Sequence, residues 1–514
     1  MSATVRGESG ATRHGTANVP LPHGPEWEFE LIERYHAAIA EAAAEFGLDT
    51  YPNQIEIISS EQMLDAYASS GLPLGYPHWS FGKSFIRNEA AYRKGYQGLA
   101  YEIVINSNPC IAYLMEENTM VMQALVVAHA CYGHNSFFKG NYLFRQFTQA
   151  DAILDYLVFA RRYVMECEER HGVAKVEEII DSCHALMDYG VDRYRRPQPI
   201  SNREREARRS ERAEHERRLY NDLWRTTIPH KGLEAVASDG RAFPAEPEEN
   251  LLYFVEKHSP SLAPWQRELV RIVRKLSQYF YPQVQTKVMN EGWATFWHYT
   301  LINRLYDKRQ IDDAFMFEFL HHHTNVVAQR GFDQPGYHGL NPYALGFAMM
   351  QDIRRICEKP TGEDREWFPD LAGTDWIRQL DFAMRNFKDE SFINQYLSPK
   401  LIRDLRLFVI ADHEGESELL VDSIHDDQGY RRVRRMLAEL YRRENRLPDI
   451  QVARYYRESD RSLVLRNHVY RGRPLDDRQA EEVMRHLGRL WGFTVRLESV
   501  DAQGRVEGSR EWKG

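Results

Sequence analysis

Residues 119–135 read TMVMQALVVAHACYGHN, and this stretch decides the fold of the larger part of the chain. Its apolar residues fall on every side of a helix rather than on one stripe, which is typical of a helix buried on most of its surface. Such a helix needs other elements around it, so the stretch predicts a mainly helical domain with a substantial core. Two histidines, His129 and His134, stand near its carboxyl end.

Helical periodicity continues on both sides of this stretch. Apolar residues recur at helical spacing in four further segments, residues 26–46, 264–280, 288–306 and 312–327. We therefore predict one large, mainly helical domain over residues 25–400, preceded by a disordered tail at 1–24. Within it, residues 199–218 are dense in Arg and Glu with almost no apolar stripe, so we expect a charged helical connection there.

The pattern of predicted secondary structure changes after residue 405. Short β-rich runs alternate with two helical segments, 429–443 and 477–491. This alternation predicts a smaller α+β domain over residues 405–514. The expected fold class is a mainly α N-terminal domain followed by a smaller α+β C-terminal domain.

Composition excludes several classes of function. The formal net charge of −9 gives no global attraction to nucleic acid, so we expect no nucleic-acid partner. No apolar run reaches 18 residues, so we expect no membrane insertion. The five cysteines are odd in number and form no Cys-x-x-Cys pair, which favours reduced thiols and a cytoplasmic location.

The histidine pair suggests a metal site if the helix is irregular. Residues at i and i+5 lie about 140° apart around a straight helix, whereas the i, i+4 pairs of many metal sites lie about 40° apart. A turn widened by one residue at Gly133 would bring His129 and His134 to the same side, and such bulges are frequent at functional sites. The alternative is that both are core histidines with hydrogen-bond partners.

A second segment supports the metal interpretation. Asn290-Glu291-Gly292-Trp293-Ala294 resembles the Asn-Glu-x-x-Ala segment that supplies the glutamate zinc ligand of gluzincin metallopeptidases. The resemblance implies a gluzincin-like helical fold with zinc, or another divalent metal, held by His129, His134 and Glu291. The glutamate that follows the first histidine in those enzymes, where it is the general base, is replaced here by Ala130. A base must then come from elsewhere, or the site does not hydrolyse peptides.

Other histidines have weaker signals. His298 follows Glu291 by seven residues, about 10 Å along a helix, so it cannot easily share the same ion. We assign it a catalytic role beside the metal, either toward substrate or behind a ligand. Glu318 and His321 have the Glu-x-x-His spacing of di-iron bundles, which leaves a di-iron site as an alternative.

Polar residues near these motifs are candidates for substrate binding. Asn135, Lys139 and Asn141 follow the histidine helix, and Asn341 and Tyr343 lie in a second Gly- and Asn-rich stretch. Such stretches can line a cleft for a polymeric or peptide-like ligand. They can equally be tight turns that Asn stabilises.

Many segments, in order along residues 26–500, resemble the stage V sporulation protein R family. Those that carry the resemblance include residues 51–56, 78–83, 99–110, 129–144, 290–299, 341–352, 387–392, 460–463 and 490–493. The resemblance implies a cytoplasmic bacterial protein linked to spore cortex formation, or to stress and stationary phase in bacteria without spores. It also implies a PrkA-type serine protein kinase and a von Willebrand-type protein as partners.

Two hypotheses follow. In the first, the protein is a metal-dependent hydrolase acting on a peptide or a cell-wall-related amide. In the second, it is a non-enzymatic regulatory or scaffold protein that works with the kinase, and its buried histidines are structural. Bound metal distinguishes the two, because only the hydrolase needs it.

Overall fold

The computed structural model describes most of the chain. The described residues are 20–68, 75–76, 78, 80, 102–193, 243–244, 246–331, 334, 337, 339–408, 425–442, 445, 447–469 and 473–513, with the strand backbone at 4–6, 410–411 and 420–421. The predicted charged connection at 199–218 and most of the predicted tail at 1–24 lie outside them. Within that tail, Thr4–Arg6 forms a strand, so this part differs from the predicted disorder.

The described helices, in chain order, are α1 (Phe29–Glu45), α2 (Ser60–Ala68), α3 (Met120–Val127), a π-helix (Ala128–His134), α4 (Asn135–Gly140), α5 (Tyr142–Phe147), α6 (Ile153–His171), α7 (Val173–His184), a 3₁₀ turn (Met187–Tyr189), α8 (Leu251–His258), α9 (Pro264–Gln285), α10 (Lys287–Asp307), α11 (Asp313–Val326), α12 (Pro342–Glu358), α13 (Gly362–Trp367), α14 (Trp376–Asn386), α15 (Asp389–Tyr396), α16 (Pro399–Asp404), α17 (Asp427–Leu440) and α18 (Asp477–Trp491). The predicted dominance of helix is confirmed.

The described strands are β1 (Thr4–Arg6), β2 (Asn53–Ile58), β3 (Glu102–Ile105), β4 (Cys110–Met115), β5 (Ile410–Ala411), β6 (Leu420–Val421), β7 (Asp449–Tyr455), β8 (Leu463–His468), β9 (Val495–Val500) and β10 (Val506–Trp512). One sheet has the order β1-β2-β4-β3, in which only β2 and β4 are parallel. A second has the order β10-β9-β8-β7, in which only β8 and β9 are parallel, and β5 pairs with β6. The predicted C-terminal α+β character is confirmed.

Two compact units divide the chain differently from the predicted domains. The larger unit comprises Met1–Gly172 and Tyr279–Arg446, and the smaller unit comprises Val173–Gln278 and Leu447–Gly514. The predicted boundary near 400–405 therefore moves to 446–447, and a segment predicted for the helical domain joins the C-terminal sheet.

Side-chain contacts explain both shifts. The helix α17 buries Tyr430 and Val433 in the larger unit, where Arg434 Nε donates a hydrogen bond of 2.8 Å to the carbonyl of Leu397. In the smaller unit, α7 contacts α18 through a 3.1 Å hydrogen bond between Ser182 Oγ and His486 Nδ1. Neither pairing is visible in local sequence periodicity.

The helix α10 lies at the centre of the larger unit. Trp293, Phe296 and Trp297 are almost fully buried, and apolar side chains cover most of its surface. Burial on nearly every side is why its sequence shows little amphipathic pattern.

Two glycines let neighbouring helices approach the backbone of α10. A Cβ atom on Gly133 of the π-helix would lie 2.5 Å from Ala294 Cα, and one on Gly292 would lie 2.4 Å from Gly346 Cα of α12. Any larger residue at either position would force the helices apart. Both contacts lie within three residues of Glu291 in sequence, and the one at Gly133 holds the helix of Glu291 close to the π-helix.

Candidate metal centre

His129 and His134 lie side by side because the helix that carries them widens at its carboxyl end. The helix α3 passes directly into the π-helix Ala128–His134, in which hydrogen bonds span five residues instead of four. Residues five apart are then brought toward one side. The ring centroids of His129 and His134 are 4.6 Å apart, and both side chains are buried. The widened turn predicted from the sequence is confirmed.

Two glutamates converge on the same pair. Glu291 Oε2, from α10, lies 3.8 Å from His129 Nε2 and 3.5 Å from His134 Nε2. Glu102 Oε1, from the first residue of β3, lies 3.7 Å from His129 Nε2. The ligand atoms of Glu102, His129 and His134 all lie within 4.8 Å of one another. For comparison, two atoms bound to one tetrahedral zinc at about 2.0–2.1 Å are about 3.4 Å apart.

Two of these atoms have unused hydrogen-bonding capacity. His129 Nε2 and Glu291 Oε2 are buried and have no hydrogen-bond partner among the described residues. Leaving a buried polar atom unpaired costs about 1–3 kcal/mol, so two such atoms a few ångströms apart indicate a missing ligand. Two imidazoles and a carboxylate are a donor set that catalytic zinc takes, so these residues fit the metal.

Hydrogen bonds behind the site orient both imidazoles. His134 Nδ1 lies 3.0 Å from Asn290 Oδ1, which can only accept, so His134 carries its proton on Nδ1 and has a lone pair on Nε2. His129 Nδ1 lies 2.9 Å from His298 Nδ1, and His298 Nε2 lies 2.8 Å from His323 Nδ1. If His129 keeps Nε2 for a metal, each ring in this chain donates to the next. Such partners fix the tautomer of a metal-bound histidine.

Burial keeps three histidines of the centre, His134, His298 and His323, neutral. It lowers the pKa of His134 to about 4, against the opposing charge of Glu291. It also lowers the pKa of His323 to about 4 and holds the pKa of His298 well below its ordinary value. A neutral imidazole has the lone pair that a metal requires.

Burial raises the pKa of both glutamates, but their net pKa shifts have opposite directions. Burial raises the pKa of Glu102, with partial opposition from His129. Burial would also raise the pKa of Glu291, but the two histidines and a hydrogen bond with Tyr343 outweigh it and lower that pKa.

The structure brings His129, His134, Glu291 and Tyr343 together. Tyr343 helps to lower the pKa of Glu291, and its ring stacks beside His129 with centroids 6.2 Å apart. His298 is fully buried with both ring nitrogens bonded to other histidines, so it positions His129 and does not face substrate. Glu102 was not predicted, because a lone glutamate at a strand end gives no local signal.

Asn135 and Lys139, predicted to bind substrate, both make hydrogen bonds to the protein itself. Asn135 is fully buried and exchanges hydrogen bonds of 2.8 and 2.9 Å with the backbone N–H and carbonyl of Tyr51. Lys139 Nζ donates to Asp49 Oδ1 at 2.5 Å and to the carbonyl of Thr50 at 2.9 Å. Both side chains therefore attach α4 to the loop that precedes β2.

The side chains of Asn141 and Asn341 likewise form hydrogen bonds with backbone groups. Asn141 is fully buried and donates to the carbonyl of Met384 at 2.6 Å. Asn341 caps α12 by accepting from the N–H of Tyr343 at 3.0 Å, and donates to the carbonyl of Val326 at 2.9 Å. The alternative role of these asparagines, in stabilising turns and caps, is the one observed.

The di-iron alternative lacks geometric support. Glu318 Oε1 accepts a 2.6 Å hydrogen bond from Thr119 Oγ1. His321 is exposed and contacts Asn325. Among the described residues, the group of at least three donors that could hold a metal is the one containing His129.

Fold and site together define a mainly helical protein with a buried histidine and carboxylate centre suited to one metal ion. The family described as SpoVR like protein matches residues 26–446, and the SpoVR-like C-terminal domain matches residues 448–502. The chain thus belongs to the SpoVR family, which confirms the resemblance seen in its sequence. The family boundary also agrees with the end of the larger unit at Arg446.

A relative supports the same assignment. The chain is 58% identical over 487 residues to the Escherichia coli (strain K12) protein called "Uncharacterized protein YcgB", and the alignment covers 95% of each chain. No solved structure matches the chain. None of the described helices is both long enough and apolar enough to cross a membrane.

Proposed function

We propose that this SpoVR-family protein is a metal-dependent hydrolase that acts on a peptide or a cell-wall-related amide. His129, His134 and Glu291 would hold the metal. The observation that carries the proposal is the convergence of these three side chains with two of their buried atoms unpaired. A hydrogen-bond network of core histidines would have satisfied those atoms.

The chemistry of the donor set supports hydrolysis. A zinc ion bound there would polarise a carbonyl and lower the pKa of a water molecule. The protein itself supplies orientation, since Asn290 fixes His134, His298 fixes His129, and Tyr343 holds Glu291. The likeness of the Asn290-Glu291 segment to gluzincin metallopeptidases supports an amide substrate. We propose, as part of the same hypothesis, that the larger unit has a gluzincin-like fold.

Metal content tests the proposal. Elemental mass spectrometry on untagged protein should find about one zinc or other divalent ion per chain, the stoichiometry of a mononuclear site. Glu291→Gln and His129→Ala should lose it at equal folded yield. Glu318→Gln is the matched control, since this glutamate bonds to Thr119 outside the centre and should keep the metal.

The results separate the two functional hypotheses. Metal that is present in the wild type and control but lost in both variants supports the hydrolase and justifies a screen of peptide and cell-wall amides. Absence of metal from every protein would contradict it. That outcome would favour a scaffold working with a PrkA-type kinase and a von Willebrand-type protein in the cytoplasm.

A further inference from the structure

Glu102 is a partly buried carboxylate at the metal centre that the three-ligand arrangement does not use. Its side chain is 16% exposed, and its Oε1 lies 3.7 Å from His129 Nε2. That separation lies between the 3.5 and 3.8 Å that join Glu291 to the two histidines. Glu102 therefore approaches His129 as closely as the predicted glutamate ligand does, and its ligand atom lies within 4.8 Å of that of His134.

The charge of the site also needs explaining. Glu102 and Glu291 are mostly buried near each other, and among the described residues the basic side chains within ion-pair distance of either are His129 and His134. The structure shows no lysine or arginine in its described parts that pairs with these two carboxylates. Two carboxylates so close repel each other unless one takes up a proton or a cation lies between them, and one divalent ion would balance both as anions.

We propose that Glu102 is a fourth protein ligand of the metal and occupies the position that a hydrolytic site otherwise keeps open. This inference rests on the proposed function. Zinc sites with four protein ligands are closed, whereas catalytic sites keep a position for water or substrate. The resting protein is then a closed site, and a substrate group gains access to the metal only by displacing Glu102.

The position of Glu102 in the fold suits a displaceable ligand. His129, His134 and Glu291 come from two helices locked together at Gly133 and Ala294. Glu102 comes instead from the first residue of β3, a four-residue strand whose partner within the described sheet is β4. Its carboxylate can move by side-chain rotation without disturbing the helix pair.

Cobalt substitution tests this inference without a known substrate. Metal-free wild type, Glu102→Gln and Glu102→Ala are titrated with Co²⁺, whose visible absorption reports its coordination number, and azide is then added as a small competing ligand. Glu56→Gln is the matched control, because Glu56 lies on β2 of the same sheet and its carboxylate bonds to Gln54.

We expect wild type and Glu56→Gln to bind Co²⁺ with a four-coordinate spectrum that azide leaves unchanged. Both Glu102 variants should bind Co²⁺ at least about 10-fold more weakly, since even partners behind a ligand contribute about 10–100-fold to affinity. Their spectra should change with azide. Glu102→Gln keeps the size of the side chain, so it tests whether Glu102 is a ligand even if the alanine variant folds poorly.

Two outcomes would overturn the inference, and they differ. If the Glu102 variants match wild type in Co²⁺ affinity and all respond alike to azide, Glu102 lies outside the coordination sphere while the three-ligand site stands. If wild type binds neither Co²⁺ nor Zn²⁺, the proposed function fails and the role of Glu102 fails with it.

Discussion

Two consecutive parts of one segment, the π-helix at 128–134 and residues 135–141, look alike in sequence but differ in what their polar atoms do. Both are buried and rich in polar side chains beside aromatic rings. In the π-helix, His129 Nε2 is buried without a partner. In the following part, the amide groups of Asn135 and Asn141 bond to backbone. A candidate binding site is thus distinguished by buried polar atoms that lack a hydrogen-bond partner. Polarity and burial alone do not distinguish it from residues that only connect parts of the fold.

His134→Gln should produce the largest difference between the two parts. The amide lacks the imidazole lone pair that faces Glu291, so we expect zinc affinity to fall at least about 100-fold, beyond the range for partners behind a ligand. The unfolding free energy of the metal-free protein should change by less than about 1 kcal/mol, because the glutamine can keep a hydrogen bond to Asn290. Zinc titration and urea unfolding without metal measure the two effects.

A loss of several kcal/mol in the metal-free His134→Gln protein, with no metal bound by wild type, would contradict this prediction. The histidine would then be a satisfied core residue, like its neighbour Asn135.

Gly133→Ala should affect both properties. The added Cβ would lie 2.5 Å from Ala294 Cα, so α10 must move away from the π-helix. We expect a loss of about 1–3 kcal/mol in unfolding free energy, typical of overpacking, together with weaker zinc binding because Glu291 moves with its helix. Gly362→Ala is the control, since its Cβ would meet open space. Unchanged stability and zinc affinity would show that the helices do not depend on this contact.

Asn135→Ala should destabilise the protein without affecting the metal. It would leave the buried N–H of Tyr51 and the side-chain oxygen of Asn53 without their present partner. We expect a loss of about 1–2 kcal/mol in unfolding free energy, from unpaired buried groups. Zinc stoichiometry should match wild type by elemental analysis. If the variant kept its stability but lost its zinc, Asn135 would have a role in the metal site.

Local spacing was sufficient to predict the helices and the paired histidines, and the resemblance of residues 290–294 to a gluzincin segment indicated Glu291. Each of these signals is contained within a short stretch of sequence. Glu102 could not be found that way, since its meeting with His129 depends on where β3 packs. The roles of Asn135 and Asn141 depend in the same manner on Tyr51 and Met384, which lie far away in sequence.

The domain boundaries failed for a related reason. Residues 173–278 fall within the predicted helical domain at 25–400, yet they share a compact unit with the C-terminal sheet. Periodicity predicts that a helix buries one face but does not identify the element that covers it.

Lys139→Met should have the smallest effect. Lys139 lies on the outer side of the segment, where its side chain is 32% exposed and its partner Asp49 is 60% exposed. Exposed ion pairs contribute about 0–1 kcal/mol. Methionine retains most of the apolar length of the lysine side chain but loses the contact of the ammonium group with the Tyr51 ring, at 5.4 Å from its centroid. We therefore expect less than about 1 kcal/mol lost in urea unfolding, with normal zinc content. The variant could also keep its stability and zinc but lose hydrolysis of an amide found in the substrate screen. The ammonium group would then be a substrate contact, and residues 135–141 would not be purely structural.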